Sequence, residues 1–533
     1  MVQDWKDLVA KKRADVAKQL PQEWRLPQAI LDTVNADAAI SVLGVPAKCG
    51  LLTSKELDIT EKYDAVDLIA KMASKELSAS EVTLAFCKRA AVAHQVTNCL
   101  TEMFFDKALE RAKDLDEYLE KEGKPMGPLH GMPISLKDSF NLEGIHTTIG
   151  YVSFTDRPAA TSNSPLVDIL LANGAVLYVK TNIPQTLMTA DSENNVFGRT
   201  LNPHKLNLTA GGSSGGEGAL VAMRGSIIGV GTDIAGSIRI PAICCGTYGF
   251  KPSANRIPFG GQVSPAADGL TGIIPVAGPL AQSPRDLRLF METVIQSKPW
   301  DFDYTALAMP WHPVPEAKSL TIGVVLECPT WRLTPPMLRA MKTATEKLKQ
   351  AGHKIVMLEK FPSFKEAMEL SFGMFDIDNE CTGFKHILAS GEPFVTSVAD
   401  LYAPPPGGRK DKTLDELFKM NIKQLEFRRD WLKVFMENKL DVVLAPGAHK
   451  TAVPHDTFRY PPYTVMWNLV AYPACAIPYL KADQTVDKPD ANVPEYDPQV
   501  VDGAPCHVQL VARSEQDEEL MAAVELVAKA LNG

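Results

Sequence analysis

Five of the eight residues in Gly211-Gly212-Ser213-Ser214-Gly215-Gly216-Glu217-Gly218 are glycine. A stretch so bare of side chains buries little by itself. What it offers is close backbone approach, so the fold around it has to be built to hold it. A second such segment, Gly231-Thr232-Asp233-Ile234-Ala235-Gly236-Ser237-Ile238-Arg239, follows soon after, and each carries a serine set in glycines, Ser213 and Ser237. Upstream, Gly131-Met132-Pro133-Ile134-Ser135-Leu136-Lys137-Asp138 places a lysine in an otherwise apolar run.

The rest of the chain alternates between helix-like and strand-like patterns. Residues 4–20 carry Trp5, Leu8, Val9, Val16 and Leu20 among charges, an amphipathic helix closed by Pro21. Its acidic and basic residues are mixed, which favours docking on the protein body over lying on a membrane surface. Ser78-Ala79-Ser80-Glu81 is a capping-box signature opening a helix to about His94. Leu100 to Phe105 predicts a strand, Asp106 to Lys121 a charged helix, and Pro133 to Leu136 a buried strand end that delivers Lys137. Helices are expected at 165–172, 217–223 and 335–351, and strands at 175–179, 320–326 and 354–358. Short apolar runs recur at 440–444 and 474–480. This interleaving predicts an α/β fold: a single large domain with a central mixed β-sheet flanked by helices. Residues 1–60 read as an N-terminal helical extension and 61–533 as the main domain. Two stretches rich in proline and charge, 402–412 and 481–504, read as surface excursions of the kind that sometimes serve as lids.

Composition narrows the function. A formal net charge of −9 and a pI near 5.7 argue against a nucleic-acid surface, which needs clustered Lys and Arg. The nine cysteines form no CxxC pair and are odd in number, so neither a disulfide framework nor a zinc knuckle is expected. The adjacent Cys244-Cys245 reads as buried packing. No apolar core of a signal peptide follows Met1, no run of 18 apolar residues occurs, and the last residues match no targeting address. A reduced, cytoplasmic setting without a stable membrane anchor is the expectation.

An amide resists hydrolysis because its carbonyl is resonance-stabilised and its amine must gain a proton before leaving. A site therefore needs a nucleophile, a base that later returns its proton, and donors for the developing oxyanion. Ser237 can be the nucleophile. The turn from Asp233 to Ser237 can offer successive backbone N–H groups, since glycine and alanine keep bulk away. A helix starting near Ile238, with Pro241 in its first turn, adds positive potential there. The base falls to Lys137. A lysine ordinarily titrates near pH 10.4, but burial can lower that by several units. Met132, Pro133, Ile134 and Leu136 make burial of Lys137 the expected outcome. Ser213, whose hydroxyl both donates and accepts, can pass a proton from Ser237 to Lys137. The three segments together read as a lysine-activated serine hydrolase working through an acyl-enzyme, with no cofactor.

These elements resemble the amidase signature family, whose serine–serine–lysine triad is matched in order and spacing by Ser237, Ser213 and Lys137. The resemblance extends to Thr181-Asn182-Ile183-Pro184-Gln185, to Phe197-Gly198-Arg199-Thr200-Leu201-Asn202-Pro203 and to Gly246-Thr247-Tyr248-Gly249-Phe250-Lys251-Pro252-Ser253. It is strong over about 64–290 and looser beyond. Gly216-Glu217-Gly218 and the Pro/Asp-rich late loop look similar to fungal acetamidase-type amidases. They are also similar to animal fatty acid amide hydrolases, which carry a membrane anchor. The resemblance implies the amidase signature fold for 61–533, a cis Gly212–Ser213 peptide and a small-molecule amide as substrate. It further implies Met188 in the substrate pocket, an oxyanion hole at Ile234, Ala235, Gly236 and Ser237, Asp233 and Arg239 holding that loop, and a possible homodimer. Ala235 departs from the pattern, which often has glycine there, so its methyl can narrow the pocket.

Other readings compete. Gly212-Ser213-Ser214-Gly215-Gly216 also fits the G-x-S-x-G elbow of an esterase with Ser214 as nucleophile. That elbow needs a hydrophobic strand before it, whereas 202–209 is polar and contains proline. No Gly-Lys-Ser/Thr follows, which excludes a phosphate-binding loop. The A subunit of a tRNA-dependent amidotransferase shares the triad but needs partner subunits, and a catalytically dead scaffold is a third alternative. His130 reads as a turn residue, and no histidine spacing suggests a metal.

Overall fold

The computed structural model describes residues 4–315, 317–402 and 410–533. Part of the expected 402–412 excursion, 403–409, lies outside the described residues. The strands are β1 Leu100–Met103, β2 Pro133–Lys137, β3 Val176–Thr181, β4 Glu193–Asn194, β5 Gly198–Arg199, β6 Ile228–Asp233, β7 Tyr248–Lys251, β8 Val276–Ala281, β9 Thr321–Val324, β10 Lys354–Met357, β11 Val442–Ala445, β12 Ala474–Lys481 and β13 Pro505–Val511. Among the described residues, eleven of them form one sheet in the order β1-β3-β2-β6-β8-β7-β12-β13-β11-β9-β10, while β4 and β5 pair alone. β2 runs parallel to β3 and β6, and β9 parallel to β10 and β11; the other neighbours are antiparallel. The sheet is mixed, helices flank it, and the fold class is α/β.

The middle of the sheet is dry. Every residue of β2, β3, β6, β7, β8 and β13 is buried, as a sheet covered on both faces requires. The helix Ala79–Thr97 opens on Ser78 with both halves of the expected capping box formed. The strand expected to run to Phe105 stops at Met103, because Phe105 already begins the helix Phe105–Glu122. The first helix, Trp5–Gln19, docks on the sheet edge: Lys12 pairs with the buried Glu102 of β1, and Gln19 accepts from the Met103 N–H at 2.7 Å. Among the described residues no helix is long and apolar enough to cross a membrane.

The 481–504 stretch is tethered rather than loose. Arg339 grips the carboxylate of the buried Asp487 at 2.7 and 2.8 Å, and Lys205 donates to the Val500 carbonyl at 2.9 Å. None of its residues lines the main cavity, so the lid role open to it in the sequence has no geometric basis.

Candidate active site

Parallel strands β2 and β6 pair with Ser135 opposite Gly229 and Leu136 opposite Val230, so both end at the same edge of the sheet. Open α/β sheets bind ligands beyond the carboxyl ends of such strands. β2 ends on Lys137; β6 ends on Asp233 and turns through Ile234 to Ser237 into the helix Arg239–Cys245. Ser213 stands one residue before Ser214, the cap of the helix Gly215–Ala222. Three elements thus converge at one point. The Gly212–Ser213 peptide is cis.

Glycine is forced at two places in these turns. A Cβ on Gly212 would lie 2.3 Å from the Thr189 carbonyl oxygen. Gly236 has φ of 132°, and a Cβ there would lie 2.3 Å from Thr464 Oγ1. No side chain fits either position without moving its neighbours.

Lys137 is wholly buried. Its Nζ lies 2.7 Å from Ser213 Oγ and 2.8 Å from Thr232 Oγ1. Burial lowers its pKa to about 7, against the charge of Asp233 and that of Glu217 when ionised, which favour the ammonium. An amine poised there can accept a proton. Ser213 and Ser237 line the same cavity, yet no hydrogen bond joins their hydroxyls among the described residues. The expected Lys137–Ser213–Ser237 row is therefore made at its first link and open at its second.

The loop that carries Ser237 is locked from below. Arg239 donates to Asp233 through Nε and Nη2, both at 3.0 Å, to Asn468 Oδ1 at 2.6 Å, to the Thr464 carbonyl at 3.0 Å and to Gln509 Oε1 at 2.8 Å. All five of its N–H groups are spent. Burial, the largest single influence, raises Asp233, but the charge and hydrogen bonds of Arg239, with the Lys251 charge and the Asn468 hydrogen bond, together outweigh it and hold the carboxyl at about 2. Thr464, Asn468 and Gln509 carry no signal in the sequence, because they come from segments more than 200 residues downstream.

The oxyanion reading needs one correction. The Gly236 N–H donates to Asp233 Oδ1 at 2.8 Å and is not free for a ligand. The N–H groups of Ile234, Ala235 and Ser237 meet no acceptor among the described residues, and all three residues border a small space beside Gly212. Gly236 therefore shapes the turn, and the other three offer the donors.

The main cavity measures about 440 Å³. Ser213, Ser237, Met188 and Ile234 line it, with Phe259, Val263, Ile273, Met374 and Phe384 forming much of the wall. Met188, which the resemblance implies for the substrate pocket, is among the residues lining the cavity. The wall residues come from a loop at 259–275 and from the helices Phe364–Phe375 and Thr382–Ser390, segments that carry no motif in the sequence. The esterase elbow does not form. Ser214 is buried, lies outside the cavity, and its Oγ donates to the Thr232 carbonyl at 3.3 Å. No hydrophobic strand leads directly into it either: 203–207 is turns, and Leu208 and Thr209 make only isolated bridges.

Elsewhere, His312, Glu518 and Glu519 bring metal-ligand-type atoms within 4.8 Å of one another, but Glu518 is already bound by Arg256. His130 is a buried turn residue, and Cys244 and Cys245 are buried packing.

Residues 81–521 match the Amidase family. An amidase of Gibberella moniliformis is 46% identical over 532 residues, covering 99% of both chains. An acetamidase of Emericella nidulans is 39% identical over 556 residues, covering 100% of this chain and 99% of its own. The solved structure of a fatty acid amide hydrolase superposes with a TM-score of 0.93 at 36% identity, over 100% of this chain and 96% of that one. With that fold and those relatives, the chain belongs to the amidase signature family and is a hydrolase of C–N amide bonds.

Proposed function

We propose that the protein hydrolyses small-molecule amides through an acyl-enzyme on Ser237, with Ser213 and Lys137 as proton carriers. The observation that supports this most is the 2.7 Å contact between a buried Lys137 amine and Ser213 Oγ, at the wall of a cavity that Ser237 also lines. As the neutral amine, Lys137 draws the Ser213 proton while Ser213 takes that of Ser237. Ser237 Oγ then bonds to the amide carbon, and the carbonyl π pair moves onto oxygen. The free N–H groups of Ile234, Ala235 and Ser237 hold the oxyanion. Its collapse breaks the C–N bond while the proton returns through Ser213 to the leaving nitrogen. Water repeats the path and releases a carboxylic acid, and no cofactor takes part. The open Ser213–Ser237 link closes when substrate fills the cavity, since catalytic hydrogen bonds commonly tighten only in the reacting complex.

The cavity supports a substrate larger than acetamide. Some 440 Å³ walled by Phe259, Ile273, Met374 and Phe384 suits an apolar acyl or aryl group, in the size range of ligand pockets generally. Purified protein tested alone on a panel of amides of rising acyl size checks both points. The expected result is turnover without partner subunits, best for bulky apolar acyl groups, with Ser237 labelled by a fluorophosphonate and with no turnover in Ser237→Ala. Absence of labelling, or a requirement for partner subunits, would refute it.

A further inference from the structure

Glu217, in the first turn of the helix Gly215–Ala222, is fully buried and lies outside the cavity. The reaction above does not use it. Its neighbours set a counting problem. Glu217 Oε2 lies 2.6 Å from Ser135 Oγ, Ser135 Oγ lies 2.9 Å from Ser226 Oγ, and Ser226 Oγ lies 2.8 Å from the Ile228 carbonyl oxygen. Three hydrogen-bond contacts in a row need three hydrogens. The carbonyl brings none and each hydroxyl brings one. With Glu217 ionised, two hydrogens serve three contacts, and one pair of oxygens meets lone pair to lone pair. With a hydrogen on Oε2 the row is complete: carboxyl to Ser135, Ser135 to Ser226, Ser226 to Ile228. The second carboxyl oxygen, Oε1, accepts from Thr181 Oγ1 at 2.9 Å in either state. Burial acts in the same direction, lifting the Glu217 carboxyl to about 8 despite those hydroxyls.

We propose that the hydroxyl row holds Glu217 as a neutral carboxylic acid, and that this neutrality leaves the Lys137 amine free to act as the base. Glu217 is a positioning residue, and the inference rests on the function proposed above. The competing arrangement moves the proton across the buried pair, giving a Lys137 ammonium and a Glu217 carboxylate; that ammonium has no lone pair to offer Ser213. Two carboxyl groups act on Lys137, Glu217 and Asp233. Arg239 matches the charge of Asp233, and the bound hydrogen cancels that of Glu217. The other titratable groups near Glu217 are Tyr178 on β3 and Cys99 just before β1, both pushed by burial toward their neutral forms. Lys137 is thus the one cation-forming group that acts on it among the described residues.

Infrared difference spectroscopy at pH 7, wild type against Glu217→Gln, tests this together with the pH profile of kcat/KM. A protonated carboxyl has a C=O stretch that a carboxylate lacks. The band is expected in wild type, absent in Glu217→Gln, and moved to higher frequency in Ser135→Ala, which keeps the acid but removes the acceptor of its hydrogen. The acid limb of kcat/KM should move by less than about 0.3 pH units in Glu217→Gln, because one neutral group replaces another. A wild type without the band overturns the proposal, as does a limb that falls by about a full unit or more, the response to deleting a real charge beside the amine. Should the glutamine variant fail to fold, the wild-type and Ser135→Ala spectra decide. Lys137→Ala separates the two readings: amide turnover retained there sinks the catalytic role of Lys137 and leaves the band untouched.

Discussion

Two buried lysines sit in the same sheet, Lys137 at the end of β2 and Lys251 at the end of β7. Burial brings both to about 7. Their surroundings then part ways. Lys137 touches two hydroxyls, Ser213 and Thr232, both on residues that line the cavity, whereas Lys251 makes a 2.8 Å donation to the neighbouring Pro252 carbonyl and lies outside it. A lowered pKa is therefore not what separates a base from a structural amine. Position decides: a free amine does chemistry only where a hydroxyl connects it to the cavity.

The sharpest break of this comparison is a matched pair of substitutions. Lys137→Met should lower amide kcat/KM by about 10²–10⁴-fold, the range of a lost general base, and should lower ester turnover less because an alkoxide leaves without needing the proton. Lys251→Met, in an equally buried site, should change kcat/KM by no more than about threefold on the same substrates. Equal losses in the two would show that burial of charge, and not contact with Ser213, governs activity.

How much of this was visible beforehand follows from where each residue's partners lie along the chain. Lys137 was legible because its burial is written in the four apolar residues around it, and the first-turn glutamate of the helix from Ala79 because a capping box is local. β6 and β8 were not. Ile228-Gly-Val-Gly-Thr-Asp233 and Val276-Ala-Gly-Pro-Leu-Ala281 carry the glycine and proline that usually end strands. They persist because both are clamped between neighbours, with Pro279 set opposite Val230. The support of Arg239 by Thr464, Asn468 and Gln509 is likewise tertiary, and no spacing could announce it. The resemblance implies four residues in the oxyanion turn, but the N–H of one of them, Gly236, is spent on the carboxylate that shapes the turn.

Arg239 lies between the two lysines in the electrostatic sense: it lowers Lys251 and pins Asp233, which acts on Lys137. Arg239→Met leaves Asp233 buried without its counter-charge. Removing one partner of a buried pair costs about 3–5 kcal/mol, to be read from denaturant unfolding. In whatever fraction folds, the acid limb of kcat/KM should move to higher pH, since an unmatched Asp233 favours the Lys137 ammonium. A limb that moved down would show that Asp233 does not act on the amine.

The pH response separates the lysines again. Below about pH 7 Lys137 gains its proton, so kcat/KM should fall about tenfold per unit there and level off above. Stability follows a different window. Each lysine titrates near 7 folded and near 10.4 unfolded, so between those values the unfolded chain binds more protons and stability rises with pH. Each contributes up to about 1.4 kcal/mol per pH unit in that window. Lys251→Met should flatten the rise without moving the kinetic limb, and Lys137→Met should flatten it by a similar amount while losing the limb altogether.

The smallest expected effect concerns what the cavity admits. Position matters to the substrate as it does to the amine, and Val263 stands in the cavity wall on the loop between β7 and β8. Val263→Trp fills space that a large acyl group would occupy and leaves Lys137, Ser213 and Ser237 in place. Losing room for one or two methylenes is worth about 1–3 kcal/mol, or 10–200-fold in kcat/KM. That loss should appear for amides of long or aryl acids and vanish for acetamide, whose two carbons reach no farther than Ser237 itself. A uniform loss across the panel would mean that Val263 supports the catalytic loop, and that the volume beyond it plays no part in choosing the acyl group.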